Sequence, residues 1–267
     1  MNRINRYPLP FFHPLGRGLM KIIDDLGAAA IFLSIAVVNI FRRKQLREIM
    51  QQVYYIGARS SSIVMLIGLF TGMVLGLQLY HTLTKVGSAG FLGSVIALSL
   101  IRELGPVLTA IMITARAGSA MTAEIGILRI SEQIDALYTM RIDPLRYLIS
   151  PRMAAAIVSF PLLTAFFDLV GIMGGYLTGV VLLGADKGSY INRIHTYVDI
   201  VDIRGGFIKS LVFAVLVATT CCYHGYFTHL RTDSYGAKSV SVSTTSAVVT
   251  SCVMILISDY VVTSFLM

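Results

Sequence analysis

Five long apolar stretches set the limits on how this chain can fold. They occupy residues 61–80, 91–115, 153–183, 207–227 and 240–266. A helix needs about 20 predominantly apolar residues to cross the hydrocarbon core of a bilayer. Only 13% of the residues are charged, against about 25% in soluble domains, and the mean hydropathy is +0.75. The sequence therefore predicts an all-α integral membrane protein with five transmembrane helices.

The basic residues are unevenly distributed around these stretches. Of the 22 Lys and Arg residues, nine precede the first predicted span, six lie within residues 102–152, and two follow the fourth predicted span. Segments that stay in the cytoplasm carry an excess of Lys and Arg. This rule predicts a cytoplasmic N-terminus and, after five spans, a C-terminus on the outer side. It also explains the net charge of +8 without a nucleic-acid partner.

An N-terminal apolar run at residues 26–41 has only 16 residues and lies between two acidic and three basic residues. It could be a signal peptide, a sixth span or a helix in the membrane interface. A signal peptide would end in small residues, and a sixth span would place basic residues outside. An amphipathic interfacial helix on the cytoplasmic side is therefore favoured. The predicted organisation is a cytoplasmic segment with this helix over residues 1–45, followed by a five-helix domain over residues 46–267.

Glycines recur at every fourth residue in two of the predicted spans. The positions are Gly68, Gly72 and Gly76 in the first, and Gly171, Gly175 and Gly179 in the third. This spacing puts each set on one helix face, where a second helix can approach closely. Packing between helices is the favoured interpretation, while a subunit interface and a lipid-lined groove stay open.

A charged pair lies deep inside the second predicted span. Arg102 and Glu103 follow about 18 Å of helix, which places them near the middle of a core about 30 Å thick. Charges at that depth should face a cavity or the protein interior, and Pro106 removes the amide that would bond the Arg102 carbonyl. The pair is either an ion pair that ties helices together or a site for a polar head group. The expected neighbours on the first span are Leu75, Gln78 and Leu79.

A short helix is predicted in the polar connection that follows, over about residues 130–138. Ser131 is placed to cap it, acidic residues suit its first turn, and Pro144 ends it. Its apolar residues, which share one face, are Ile130, Ile134, Leu137 and Tyr138. This face either packs against the chain's own membrane helices or docks in a groove of a cytoplasmic partner.

The sequence contains no motif for catalysis or energy conversion. A G-x-x-x-x-G-K-[ST] loop, a nucleophile elbow and H-E-x-x-H are absent, and the histidines lack metal-ligand spacing. The chain is therefore predicted to be no enzyme and to hold no metal or cofactor. If it performs work, another subunit must hydrolyse the nucleotide. Two rival classes are an ion- or proton-coupled secondary transporter of a small amphiphile, using Asp168 and Glu103, and a scaffold that transports nothing.

A series of sequence blocks runs along the chain in a fixed order. The blocks are GMVLGLQ at 72–78, SLIRELGP at 99–106, ELGPVLTA at 103–110, RAGSAMTAEIG at 116–126, EQIDAL at 132–137, IDPLRYLISPR at 142–152 and TTSAVV at 244–249. In this order they resemble the MlaE-type permeases, the membrane subunits of bacterial ABC systems that move phospholipids between the inner and outer membranes. The resemblance extends from about Phe41 to the C-terminus.

The resemblance implies an ABC exporter-like permease fold in the bacterial inner membrane, with an interfacial helix, five spans and a cytoplasmic coupling helix between the second and third. It implies a homodimer that binds two copies of a cytoplasmic ATPase, which holds the ATP and Mg. A hexameric MCE-domain protein on the periplasmic side and, in many such systems, a STAS-domain protein complete the assembly. Phospholipid would bind between the two permease subunits, at positions matching Leu75, Gln78, Leu79, Arg102 and Glu103. Positions matching the coupling helix are Ile130, Glu132, Gln133, Ile134, Asp135, Leu137 and Tyr138.

Two positions depart from the family pattern. Arg141 stands where the family often has a small residue in M-G-I-D-P, which bears on the contact with the ATPase. The basic residue of an R-A-T-T motif before the last span is absent, and Val242, Ser243, Thr244 and Thr245 stand there instead. No role is therefore carried over to that segment.

Overall fold

The protein is described by a computed structural model that covers residues 27, 34, 46–231 and 236–266, the side chains of residues 230 and 231 excepted. The interfacial helix predicted at residues 26–41 lies outside the described residues, apart from 27 and 34. All regular elements in the described ranges are helical. The α-helices are Leu46–Val53, Arg59–Lys85, Leu92–Ser99, Gly105–Ile113, Ser119–Ile130, Gln133–Thr139, Ser150–Tyr176, Lys187–Tyr197, Ile200–Tyr226, Thr228–Arg231 and Ala237–Leu266.

Five continuous helical segments are long and apolar enough to cross a membrane, as the sequence predicts. They are named here span 1 (Leu46–Lys85), span 2 (Ala89–Ile130), span 3 (Leu145–Leu182), span 4 (Ile200–Tyr226) and span 5 (Ala237–Leu266). Most of them extend beyond the predicted apolar runs. Polar residues continue each helix because a helix satisfies its own backbone hydrogen bonds whether its side chains meet lipid or water.

Spans 1 and 3 pack against each other through the two glycine sets. A Cβ atom on Gly68 would lie 2.9 Å from the carbonyl oxygen of Phe167, and Gly72 lies directly against the backbone of Gly171. Such an approach is possible because the glycines of span 1 present no side chain at the contact. The favoured interpretation of the glycine spacing, packing between helices, is therefore confirmed within one chain.

Span 4 lies at the centre of the bundle, packs against spans 2, 3 and 5, and is the most buried of the five. It is one uninterrupted α-helix of 27 residues. The carboxylate of Asp202 accepts a hydrogen bond from the amide of Asp199 at 3.1 Å, which stabilises the first turn of the helix. Span 4 therefore begins at Ile200, seven residues before the predicted apolar run.

Spans 1, 2 and 3 are interrupted by π-helical turns, whereas spans 4 and 5 are not. The π-helical turns are Tyr54–Ala58, Leu100–Leu104, Thr114–Gly118, Leu145–Ile149 and Leu177–Leu182. Single π-helical turns inside α-helices are uncommon and frequently occur at functional sites. The turn at Leu100–Leu104 contains both members of the charged pair predicted from the sequence.

The two ends of the bundle carry different connections. Between spans 3 and 4, the Lys187–Tyr197 helix begins at Asp186, whose carboxylate accepts a hydrogen bond from the amide of Ser189 at 2.6 Å. That hydrogen bond lowers the pKa of Asp186 below its usual range. Between spans 2 and 3, at the opposite end, lies the Gln133–Thr139 helix. These elements are called the 187–197 helix and the 133–139 helix below.

Candidate functional site

A cavity of about 420 Å³ lies between spans 2, 4 and 5. It includes residues from the beginning of span 4 and the end of span 5, so it lies toward the end of the bundle that carries the 187–197 helix. Its lining residues are Arg102, Glu103, Val201, Asp202, Gly205, Gly206, Lys209, Thr263 and Leu266. The charged pair predicted from the sequence therefore faces a cavity.

Arg102 and Glu103 each pair with a residue of span 4. The Nε atom of Arg102 donates to Oδ1 of Asp202 at 2.7 Å, and Nζ of Lys209 donates to Oε2 of Glu103 at 2.6 Å. The same Nζ atom lies 3.0 Å from Oδ1 of Asp259 on span 5. These ion pairs connect three spans, and all their members except Asp259 line the cavity. The two interpretations of the pair, a tie between helices and a polar site, are therefore not exclusive.

Lys209 is the buried centre of this charged cluster. Its side chain is only 3% exposed, and its Nζ atom makes a further hydrogen bond of 2.9 Å to the carbonyl oxygen of Arg102. Pro106, four residues later, has no amide hydrogen to offer that carbonyl. The lysine supplies the missing donor. The ammonium group thus donates two hydrogen bonds and forms a further ion pair with Asp259, so Lys209 can hold the surrounding carboxylates in place.

Arg102 and Glu103 are the accessible members of the cluster. Their side chains are 45% and 40% exposed, whereas that of Asp202 is 10% exposed. In the described contacts Arg102 donates only through Nε, which leaves the four N–H donors of its two terminal nitrogens for a ligand. A guanidinium offers these donors in a planar fork that matches the oxygens of a phosphate or carboxylate. The arrangement can bind an oxyanion inside the cavity.

The three residues predicted on span 1 do not line this cavity. Leu75 and Leu79 are partly buried against the core, and Gln78 is exposed. Their contact with a phospholipid between two subunits stays a prediction. Asp168 on span 3 is not in the lining either, and its carboxylate packs against Gly105 of span 2.

The helix predicted at about residues 130–138 runs over Gln133–Thr139. It starts later than predicted because Glu132 adopts a left-handed conformation with φ of 59°. The predicted cap is wrong, since the Ser131 hydroxyl donates back to the carbonyl of Ile127 at 2.8 Å. The prediction of a helix here is confirmed, but its first residue is Gln133 and not residue 130.

The helix ends at Thr139, one residue after the predicted end, but the residue that stops it is not Pro144. Arg141 has φ of 58°, its amide donates to the carbonyl of Tyr138, and the amide of Ile142 donates to the carbonyl of Leu137, both at 3.0 Å. This pair of bonds around a left-handed residue is the Schellman motif that ends many helices. The position favours glycine, which gives a structural reason for the small residue in the family pattern.

The apolar face of the 133–139 helix packs only in part against the chain's own helices. Ile134 is fully buried, and the hydroxyl of Tyr138 lies 2.6 Å from that of Tyr226 at the end of span 4. Ile130 is the last residue of span 2 rather than part of this helix. Tyr138 is itself 51% exposed. The other exposed positions on and just after this helix include Glu132, Gln133, Asp135, Ala136, Thr139, Met140 and Ile142. A partner would therefore meet these residues and not Ile134.

Arg129, near the end of span 2, connects three elements at this end of the bundle. Its Nη1 atom donates to Oδ1 of Asp135 at 2.8 Å, and its Nε atom donates to Nδ1 of His229 at 3.1 Å. Its guanidinium carbon lies 5.6 Å from the centre of the Tyr226 ring. Burial, followed by the neighbouring charge of Arg129, lowers the pKa of His229. The 133–139 helix is thus attached to spans 2 and 4.

Sequence interpretation did not identify the partners of the charged pair, which are Asp202, Lys209 and Asp259. A usable signal exists, because Lys209 and Asp259 both lie inside apolar runs. A charge in such a run requires an opposite charge or a cavity at the same depth. Matching opposite charges across the runs would have paired Lys209 with Glu103.

Comparison with known proteins identifies the family. A family model described as "Permease MlaE" matches residues 49–265. The chain is 39% identical over 258 residues to the intermembrane phospholipid transport system permease protein MlaE of Haemophilus influenzae, covering 96% of this chain and 97% of the relative. A probable ABC transporter permease protein of Rickettsia typhi is 38% identical over 253 residues, 94% of this chain and 96% of the relative. TRIGALACTOSYLDIACYLGLYCEROL 1 of Arabidopsis thaliana, a chloroplastic protein, is 36% identical over 219 residues, 82% of this chain and 61% of that protein. The chain therefore belongs to the MlaE permease family.

Proposed function

We propose that this chain is the permease subunit of an ATP-driven ABC transporter that moves phospholipid between the inner and outer membranes and so maintains outer-membrane lipid asymmetry. The name of the Haemophilus relative supports the substrate, and the name of the Rickettsia relative supports the transporter class. The observation that carries the proposal is the cavity with an accessible guanidinium between three membrane spans. The chain has no catalytic site of its own, and ATP and Mg bind to the partner ATPase.

The cavity would receive the phosphate of a lipid head group. Arg102 binds the phosphate oxygens through its terminal nitrogens, while Asp202 holds the guanidinium by its Nε atom. Lys209 compensates the charge of Glu103, so that this carboxylate does not repel the phosphate at full strength. The apolar side chains in the lining, such as Leu266, meet the first part of the acyl chains.

The head-group site is tested by the amount of lipid that remains on the purified protein. We expect Arg102→Ala to lower the phospholipid recovered about tenfold or more, because a hydrogen bond to a charged group contributes about 1.5–3 kcal/mol. The matched control is Arg193→Ala, which removes an arginine from the 187–197 helix. The guanidinium carbon of Arg193 lies 4.0 Å from the centre of the Phe91 ring. Equal lipid recovery from both variants would show that the cluster only holds the helices together.

The transporter would be a homodimer with two copies of the ATPase, an MCE-domain hexamer on the periplasmic side and a STAS-domain protein on the ATPase. It would lie in the bacterial inner membrane as a multi-pass protein, with its N-terminus in the cytoplasm and its C-terminus in the periplasm. The 133–139 helix would be the coupling helix. Its contact surface would be the exposed side that ends in Met140, which is 61% exposed, and Ile142.

Attachment to the ATPase is tested by comparing two substitutions of exposed apolar residues, one at each end of the bundle. We expect Met140→Asp to abolish co-purification of the ATPase, because it places a charge in the proposed contact. Val86→Asp, a change at a 69% exposed residue between spans 1 and 2, should leave co-purification unchanged. Retention of the ATPase by Met140→Asp would refute this docking surface.

The source of energy is tested in proteoliposomes that contain the complex and a fluorescent phospholipid. Transfer should require ATP and the ATPase and should not respond to an imposed proton gradient. Transfer driven by the gradient without ATP would instead indicate a secondary transporter.

A further inference from the structure

Span 4 carries both the charged cluster and the attachment point of the 133–139 helix. Lys209 lies near its first end and Tyr226 is its last residue. The two are separated by about 26 Å at 1.5 Å per residue. A single helix therefore connects the cavity with the opposite end of the bundle.

Span 4 is better suited to transmit movement than span 2, which also connects the two regions. Span 2 is interrupted between the cavity and the 133–139 helix by the π-helical turn Thr114–Gly118, whereas span 4 has no interruption. Local breaks in the α-helical hydrogen-bond pattern are places where helices bend. Span 4 is therefore expected to move as a rigid body when one end is displaced.

The far end of span 4 is fastened to the 133–139 helix by a direct contact. The hydroxyls of Tyr138 and Tyr226 lie 2.6 Å apart; Tyr226 is 8% exposed and Tyr138 is 51% exposed. The Tyr226 ring also lies beside the guanidinium of Arg129, which holds Asp135 of the same short helix. A displacement of the 133–139 helix thus acts on the last turn of span 4.

The near end of span 4 is fastened to the accessible residues of the cavity. Asp202 holds the Arg102 side chain at 2.7 Å, and Lys209 holds both the Arg102 carbonyl and the Glu103 carboxylate. A shift of span 4 along its axis would change the direction of the guanidinium.

We infer that Tyr138 and Tyr226 are positioning residues, whose hydroxyl contact passes movement of the 133–139 helix through span 4 to Arg102 in the cavity. The inference rests on the proposed function for the origin of the movement. The contact itself does not depend on any partner, so it can be tested separately from transport.

The first test measures hydrogen exchange of the purified permease in nanodiscs, without the ATPase. Tyr226→Phe should make the amides of residues 133–139 exchange about fivefold faster, the factor equivalent to one net hydrogen bond of roughly 1 kcal/mol. Tyr147→Phe is the control, since Tyr147 is a 52% exposed tyrosine in the first π-helical turn of span 3. Unchanged exchange in Tyr226→Phe would show that the hydroxyl contact does not stabilise the attachment of the 133–139 helix to span 4, and would overturn the inference.

The second test measures lipid transferred per ATP hydrolysed in the reconstituted complex. Tyr138→Phe and Tyr226→Phe should each lower this ratio about fivefold, while the ATPase still co-purifies and hydrolyses ATP. The double variant should show the same fivefold loss, because two residues that act through one contact are not additive. An unchanged ratio in either single variant, or a loss of about 25-fold in the double variant, would overturn the inference.

Failure of the proposed function would have a different signature. The unaltered chain would then bind no ATPase or transfer lipid without ATP, while hydrogen exchange would still report the tyrosine contact. Such a result would overturn the transmission to Arg102 and leave the contact as a structural feature alone.

Discussion

Removal of the buried ammonium at Lys209 should destabilise the bundle more than removal of any exposed charge. The substitution Lys209→Met keeps the length and apolar stem of the side chain and removes only the charged group. In its absence Glu103 and Asp259 have no cation between them, and the Arg102 carbonyl loses its 2.9 Å donor. The interior then contains two negative charges without compensation.

The magnitude follows from burial of the partners. Breaking a buried ion pair by removing one member costs about 3–5 kcal/mol. Glu103 and Asp259 retain 40% and 21% exposure, so water compensates part of the loss. We expect a decrease of about 3 kcal/mol in the free energy of unfolding, at the lower limit of that range. Lys187→Met, at an exposed lysine of the 187–197 helix, should change it by less than about 0.5 kcal/mol.

The assay is unfolding of the purified protein in mixed micelles by titration with sodium dodecyl sulfate, followed by circular dichroism. A triple variant that adds Glu103→Gln and Asp259→Asn removes the unpaired charges and should recover about 2 kcal/mol of the loss. The Arg102 carbonyl stays without its donor, at a cost of about 1 kcal/mol. A loss below 1 kcal/mol in Lys209→Met, or a triple variant no more stable than the single one, would refute the electrostatic reasoning.

Three further predictions concern packing, backbone conformation and pH. Gly72→Ala should force spans 1 and 3 apart at Gly171 and lower the free energy of unfolding by about 1–3 kcal/mol. If the variant is as stable as the unaltered chain in the same dodecyl sulfate titration, the close approach of the two helices is contradicted. Arg141→Gly should raise the free energy of unfolding by about 1 kcal/mol, because glycine adopts the left-handed conformation of this position without strain. A decrease would show that the arginine side chain stabilises the turn. His229 has a pKa below its ordinary value of 6.5, so the unfolded chain takes up the proton first and stability should decrease as the pH falls from about 7 to 5. The variant His229→Gln should weaken this dependence in unfolding curves recorded at several pH values, and an unaltered curve would exclude His229 as its source.

The five spans are predictable from the sequence because the bilayer imposes a minimum length on every apolar run. Their ends are less predictable, because a helix can continue through polar residues outside the membrane. The 133–139 helix shows the same limit on a smaller scale. Its bounds are set by the positive φ angles of Glu132 and Arg141, which belong to residue types that rarely adopt them.

The neighbours of Arg102 illustrate a second limit, because their expected place on span 1 rests only on the short connection between the first two predicted spans. Assignment of facing residues from the sequence assumes 3.6 residues per turn along the whole helix. The turn at Leu100–Leu104 contains one residue more than an α-helical turn, so positions beyond it are rotated by about 100° relative to that assumption. The charged pair lies within this turn and faces Asp202 and Lys209 on span 4, instead of the residues expected on span 1. The charged pair thus lies in a part of span 2 where helical periodicity does not assign the facing residues.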